Sequence, residues 1–390
     1  MIYNFDAGID RKGTSSVKWD YLEKIFGNKE VIPMWVADMD FAAPQPVIDA
    51  VVERAKHGVY GYTEKPASFY TSVTRWVKKR HGWHVSSDWI TVCPGVVPAL
   101  NLCVQAFTEP GDKVLLQSPV YPPFFASIRN NDRVLVNSPL RLIDNKYTID
   151  FEDLETKLAG GVKAMIICSP HNPVGRVWSR EELEKVGALC VKYNVLLISD
   201  EIHSDLIYKN YKHTPAASLA PEISERTITC LAPSKTFNIA GFATSLAIIS
   251  NKELRDKFNR YLAQLGFDST NLFGITALEA AYNYGEEWLD QALAYLEGNL
   301  DFLMNFLAEK LPRIKVSRPE GTYLVWLDCR DLGMKQKELV NFLIHKANVG
   351  LNDGTAFGDD GEGFMRMNIA CTRSTLEEGL KRIEKAVNSL

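Results

Sequence analysis

The chain has 390 residues, of which 46% are hydrophobic, 24% charged and 11% aromatic, the make-up of a globular protein long enough for two to three domains. Disulfide-stapled miniproteins, collagen and disordered chains are excluded. Forty-four basic against 48 acidic side chains leave a net charge of -4, which offers no general attraction to nucleic acid or to an anionic membrane, so neither is expected as a partner.

Seven cysteines, at positions 93, 103, 168, 190, 230, 329 and 371, are odd in number and form no C-x-x-C pair. A disulfide framework or zinc ribbon is not expected, and a reducing compartment is. The start MIYNFDAGIDRKG lacks a basic segment followed by an apolar stretch, and no apolar run approaches the roughly 18 residues of a membrane span, so the expected location is the cytoplasm.

In chain order, residues 1–48 hold no long periodic element and many aromatics, and are expected to drape over another part of the molecule. Residues 49–285 repeat a short aliphatic run, turn residues and an amphipathic stretch, the rhythm of a parallel sheet covered by helices. Seven runs read as strands: WITVC (89–93), KVLLQS (113–118), RVLVNS (133–138), KAMIICS (163–169), NVLLIS (194–199), RTITCLA (226–232) and TSLAIIS (244–250). Several are apolar on both faces, as in strands buried between helical layers. The last two are too close for a helical crossover, so one strand is expected to run antiparallel. Residues 286–390 begin with a long helix whose Leu289, Leu293, Leu296, Leu300, Leu303 and Leu307 share one face. Strand GTYLVWLDC, helix KQKELVNFLIHKAN, strand FMRMNIAC and a closing helix follow, a smaller α+β unit. The fold class is therefore α/β: a mostly parallel seven-stranded sheet between helices, plus a smaller α+β domain built from the N-terminal segment and the C-terminal third.

Open parallel sheets bind ligands at the carboxyl ends of their strands. The residues there are CPGVVPALN, SPVYPPF, SPHNPVGR, DEIHSDL and APSKTF; no G-x-G-x-x-G or phosphate-loop motif is present. Lys235 follows a buried strand, where desolvation would lower its pKa and yield a usable amine for a Schiff base, although most lysines are surface charges. Asp200, directly after NVLLIS, could keep a pyridinium nitrogen protonated, or simply cap a helix or join an ion pair. Gly95 running into a helix leaves the N–H groups of Val96 and Val97 free for an anion, as any strand-to-helix turn does. Ser234 could add a hydroxyl, Tyr121 could stack on a planar ring and Asn172 could donate to its phenolic oxygen; a packed tyrosine and a turn asparagine are the plainer alternatives. All of these signals agree on pyridoxal 5'-phosphate. His81 and His84 have helical spacing but no supporting carboxylate or cysteine cluster, so no metal is expected.

Taken together, PGVVPALN, SPVYPPF, HNPVGR, SDEIH, PSKTF and RMNIAC resemble the fold-type I, class I/II aminotransferase superfamily, in order and across nearly the whole chain. IPMWVADMDF (32–41), GVYGYT (58–63), DEIHSDL and SKTFNIAG resemble its MalY/PatB-type cystathionine β-lyase branch. The resemblance implies that Lys235 bonds covalently to the cofactor, Asp200 meets its pyridine nitrogen, Asn172 its phenolic oxygen and Tyr121 its ring face. His203 takes a place where many aminotransferases have tyrosine. Tyr62 would reach the phosphate of the neighbouring subunit, which implies a homodimer with shared active sites. Arg366 would grip the carboxylate of a small amino-acid substrate, where a surface-strand arginine is the plainer alternative. Trp35, Asp38 and Met39 are candidate walls of the substrate pocket, or domain packing. Where family members often place a phosphate-binding arginine, eight residues after the lysine, this chain has Ala243. The implied reaction is β-elimination of sulfur amino acids: cystathionine to homocysteine, pyruvate and ammonia, or a related cysteine S-conjugate. The alternatives are a class I/II aminotransferase, or a regulatory or interaction protein that kept the fold.

Overall fold

The computed structural model describes residues 1–267 and 271–390. All seven expected strands form one sheet: β1 (Ile90–Cys93), β2 (Lys113–Leu116), β3 (Val134–Asn137), β4 (Val162–Cys168), β5 (Leu196–Asp200), β6 (Thr227–Leu231) and β7 (Ser245–Ile248). Their spatial order is β1-β7-β6-β5-β4-β2-β3. Strand β7 is antiparallel to both its neighbours and every other pairing is parallel. The cause is the short link from β6 to β7, which holds only a four-residue helix, Pro233–Thr236, and one 3-10 turn, Ala240–Phe242. No crossover helix fits in that length, so the chain returns alongside itself.

The central strands are buried on both faces because alternate residues feed two different cores. In β4, Ala164, Ile166 and Cys168 join a cluster with Leu100, Phe124 and Phe258, whereas Met165 and Ile167 join one with Leu183, Val186 and Trp178. Burying each such Leu or Ile stabilises the fold by roughly 1.5–3 kcal/mol, and that rigid platform sets the heights of the strand ends.

The long helix spans Glu286–Lys310. Five of its six leucines are buried, and Leu293 is half-buried. It packs on the closing helix Arg373–Val387. A second, antiparallel sheet contains β8 (Lys315–Val316), β9 (Leu324–Asp328), β10 (Asn352–Asp353) and β11 (Phe364–Asn368) in the order β8-β9-β11-β10. The N-terminal residues pack against this part of the chain. Ile32–Pro33 pairs in parallel with Val349–Gly350, the Asn368 N–H donates to the Met34 carbonyl at 2.9 Å, and Phe5 lies edge-on to Phe41 and Trp288.

All seven cysteines are buried free thiols. Among the described residues no helix is long and apolar enough to cross a membrane. His81 pairs with Asp205 at 3.1 Å, and His84 is exposed.

Candidate active site

The carboxyl ends of β1, β4, β5 and β6 and the start of the antiparallel β7 meet around a cavity of about 860 Å³, counted out to its open mouth. Val96, Val97, Tyr121, Asn172, Asp200, His203, Ser234 and Lys235 all border it. The sheet register explains the convergence: Cys168, Asp200 and Cys230 are direct neighbours across β4, β5 and β6, so the residues that follow them emerge side by side. At one end, Gly95 with φ +119° turns β1 into the helix Val96–Phe107. Few other residues adopt that angle, and the turn aims the first N–H groups of the helix at the cavity. Tyr121 caps the helix Pro122–Arg129 and forms a side wall.

The electrostatics are those of a site waiting for charge. Burial pushes the Asp200 carboxyl up to about 7, with the charge of Glu201 adding to the effect; the Ile202 N–H at 3.1 Å and Lys235 oppose it. Burial lowers the Lys235 ammonium to about 8, helped by Arg366 and opposed by Asp38 and Asp200. Its Nζ donates to the Ala37 carbonyl at 2.7 Å. Burial, with Lys235 and Arg366 nearby, takes His203 down to about 3, so its imidazole is neutral, and its buried Nδ1 has no partner among the described residues.

Arg366 sits on β11, beside rather than on the cavity wall, and reaches it through Asn172. Its Nη1 donates to Asn172 Oδ1 at 3.0 Å, and its Nη2 donates to the Trp35 carbonyl at 2.9 Å and to Asn352 Oδ1 at 2.7 Å. All three acceptors are neutral. The Phe357 ring lies 4.9 Å below the guanidinium, and the buried Nε lacks a partner among the described residues. A buried cation surrounded only by neutral acceptors is a ready carboxylate receptor.

Four of the residues singled out in the sequence lie elsewhere, among them Met39, which is buried in the hydrophobic core and does not border the cavity. Tyr62 is fully exposed and does not border the cavity of its own chain. Trp35 contributes its carbonyl to Arg366, but its ring packs edge-on to Phe26 at 5.4 Å. Asp38 is not a cavity wall either, because its carboxylate is engaged by Arg11 at 2.6 Å and Lys18 at 3.6 Å. Conversely, Ala37, Cys168, Ala243 and Thr244 line the cavity, and Tyr323 donates its hydroxyl to the Ala37 carbonyl at 2.9 Å. Thr244 was findable: an antiparallel β7 must begin at the edge where its neighbours end. Nothing in the local sequence marks Ala37, which comes from an irregular segment, or Asn352, which lies on the short edge strand β10; both are brought in by tertiary packing.

The fold and this constellation define a class of enzyme scaffold, and comparison with known proteins agrees. The profile of the class I and II aminotransferase family matches residues 29–383. The chain is 47% identical to cystathionine beta-lyase PatB of Bacillus subtilis (strain 168), covering 99% of this chain and all of that protein. It is 32% identical to protein MalY of Escherichia coli (strain K12), with both chains fully covered. The crystal structure of cystalysin from Treponema denticola, which contains a pyridoxal 5'-phosphate cofactor, superimposes with a TM-score of 0.96 at 40% identity over the full length of both chains. The chain belongs to the class I and II aminotransferase family.

Proposed function

We propose that this chain is a pyridoxal 5'-phosphate-dependent carbon–sulfur lyase that catalyses β-elimination on thioether amino acids, with L-cystathionine as its substrate. The reading is carried by one arrangement: a buried amine of lowered pKa, Lys235, shares a cleft with the buried carboxyl of Asp200, next to the buried guanidinium of Arg366, and among the described residues neither Asp200 nor Arg366 has an ion-pair partner. The relatives named cystathionine beta-lyase and cystalysin support it.

The residues fit the cofactor. Asp200 borders the cavity, where its carboxylate could face a pyridinium nitrogen, His203 and Asn172 offer polar edges, and Tyr121 flanks the space for a flat ring. The helix start at Val96 and Val97, with Ser234 and Thr244 nearby, fits a phosphate without the arginine that Ala243 replaces. When bound, pyridoxal phosphate supplies an electron-accepting ring that renders the α-proton of an attached amino acid removable. Arg366 would exchange neutral acceptors for the substrate carboxylate and so fix the α-carbon. Lys235 Nζ, neutral above about pH 8, takes the α-proton as general base. Asp200 would hold a negative charge toward the ring nitrogen. The thiolate departs from the β-carbon, and hydrolysis of the remainder gives pyruvate and ammonia.

Tyr62, Val59 and Tyr60 form an exposed apolar segment, which supports a homodimer in which Tyr62 completes the phosphate site of the second subunit. Seven buried free thiols support a cytoplasmic location. The deciding experiment incubates purified protein with cystathionine and measures thiol, pyruvate and ammonia with and without a keto acid. Release of all three without keto acid is expected; strict dependence on a keto acid overturns the lyase assignment in favour of transamination.

A further inference from the structure

The Ala37 carbonyl oxygen accepts from both Lys235 Nζ at 2.7 Å and the Tyr323 hydroxyl at 2.9 Å. It belongs to residues 34–44, which lie outside any helix or strand, a kind of segment that ordinarily holds a carbonyl loosely. Here two asparagines clamp it. Asn238, three residues after Lys235, accepts from the Met39 N–H at 2.9 Å and donates to the Met39 and Phe41 carbonyls, each at 2.8 Å. Asn368, two residues after Arg366, donates to the Val36 and Asp38 carbonyls at 2.6 and 2.7 Å, one on each side of Ala37. Its Oδ1 is held by the Ala370 N–H at 2.7 Å. Both N–H donors of both amides are therefore committed to this one segment. Arg11 and the buried Lys18 anchor it further through Asp38 and Asp40.

We propose that Asn238 and Asn368 are positioning residues for the reaction: they fix the Ala37 carbonyl as the seat of the Lys235 amine whenever that amine is not bonded to cofactor. The proposal rests on the lyase reading above. A neutral amine that donates one N–H to a fixed carbonyl has its lone pair directed away from that oxygen, toward the cavity. Once the amine has taken a proton, the same hydrogen bond becomes charge-assisted and about twice as strong. The seat thus favours the proton-accepting step over the resting amine, which is how an interaction raises kcat more than it tightens binding.

The test uses the cofactor-loaded Asn368→Ala and Asn238→Gly variants beside the native protein. Asn238 has φ +57°, and glycine keeps that backbone accessible, so this variant removes the clamp with the smallest threat to folding. Displacement of a general base by about 1 Å costs up to about 10²-fold. A 10- to 100-fold fall in kcat is expected, per loaded site, with KM raised by no more than about fivefold. With α-deuterated cystathionine, the isotope effect on kcat rises above the native value as proton removal becomes limiting. A binding measurement complements these: 2-methylalanine has no α-proton, and titrating it against cofactor absorbance is expected to show about fivefold weaker binding in both variants, since the freed lysine has lost its seat. A variant that merely folds poorly lowers the number of loaded sites and leaves both the isotope effect and the titration at native values, and that result overturns the proposal. If the native protein itself releases no thiol from cystathionine, the lyase reading has failed instead.

Discussion

Replacing Asp200 with asparagine should have opposite effects on the empty and the loaded protein. The carboxyl is buried, one oxygen accepts a single backbone N–H, and Glu201 adds like charge, so its pKa stands at about 7 against an ordinary 3.8. In cofactor-free protein the folded state therefore holds a proton that the unfolded chain has already released. Stability from this group falls as pH rises from about 4 to about 7, and above that window the full effect is on the order of 4 kcal/mol of destabilisation. The Asp200→Asn variant keeps the shape and loses the charge. Relative to native protein, it should gain stability progressively across that window and have its largest advantage near pH 8. With cofactor bound the order inverts: native Asp200 stays charged opposite a pyridinium, and breaking such a buried pair costs about 3–5 kcal/mol. Urea unfolding of both proteins between pH 4 and 8, with and without pyridoxal phosphate, reads all four cases. The reasoning is refuted by parallel pH profiles for the two empty proteins, or by an equal gain on loading.

Three further outcomes follow from the site. Arg366→Lys replaces a two-pronged donor by a point charge; the loss of about 2–3 kcal/mol of charge-assisted hydrogen bonding should lower kcat/KM for cystathionine roughly 30- to 150-fold, mostly through KM, and an unchanged KM would remove Arg366 from substrate recognition. Acylation of Lys235 in cofactor-free protein, followed by peptide mass analysis at increasing pH, should rise through about pH 8 and not through the ordinary lysine value near 10.5, because burial favours the neutral amine. Tyr62→Ala should weaken cofactor retention with no change in the stability of the empty chain, since the exposed side chain supports nothing in its own subunit; retention that is also independent of protein dilution would argue against a shared site.

Much of the platform was legible in the sequence because hydrophobic runs of four to seven residues flanked by turn signals leave few alternatives. The reversal of β7 followed from chain length alone. The hairpin Arg141–Ile143/Lys146–Thr148 was not anticipated, although Asp144 and Asn145, both at positive φ, form the two-residue turn that such hairpins favour. At the site, residues that immediately follow strands were readable because strand ends have a defined height. Ala37, Tyr323 and Asn352 were not, since each depends on how the N-terminal segment and the second sheet pack over the first, information that no local periodicity encodes. Trp35 and Asp38 show the same limit from the other side: they lie in the right segment, but only its carbonyls at 35 and 37 turn inward to Arg366 and Lys235.

The segment around Ala37 is anchored by residues near 238 and near 368, so the lysine acquires its partner only after the two ends of the chain have met. A ribosome must therefore release almost the entire polypeptide before this amine can be seated, even though the sheet that carries it ends at Ile248. Contacts of such sequence separation form late. Newly made chains should pass through a stage with an assembled sheet and an untethered Lys235, and a chain truncated before Phe364 should lack the Asn368 anchor of that seat.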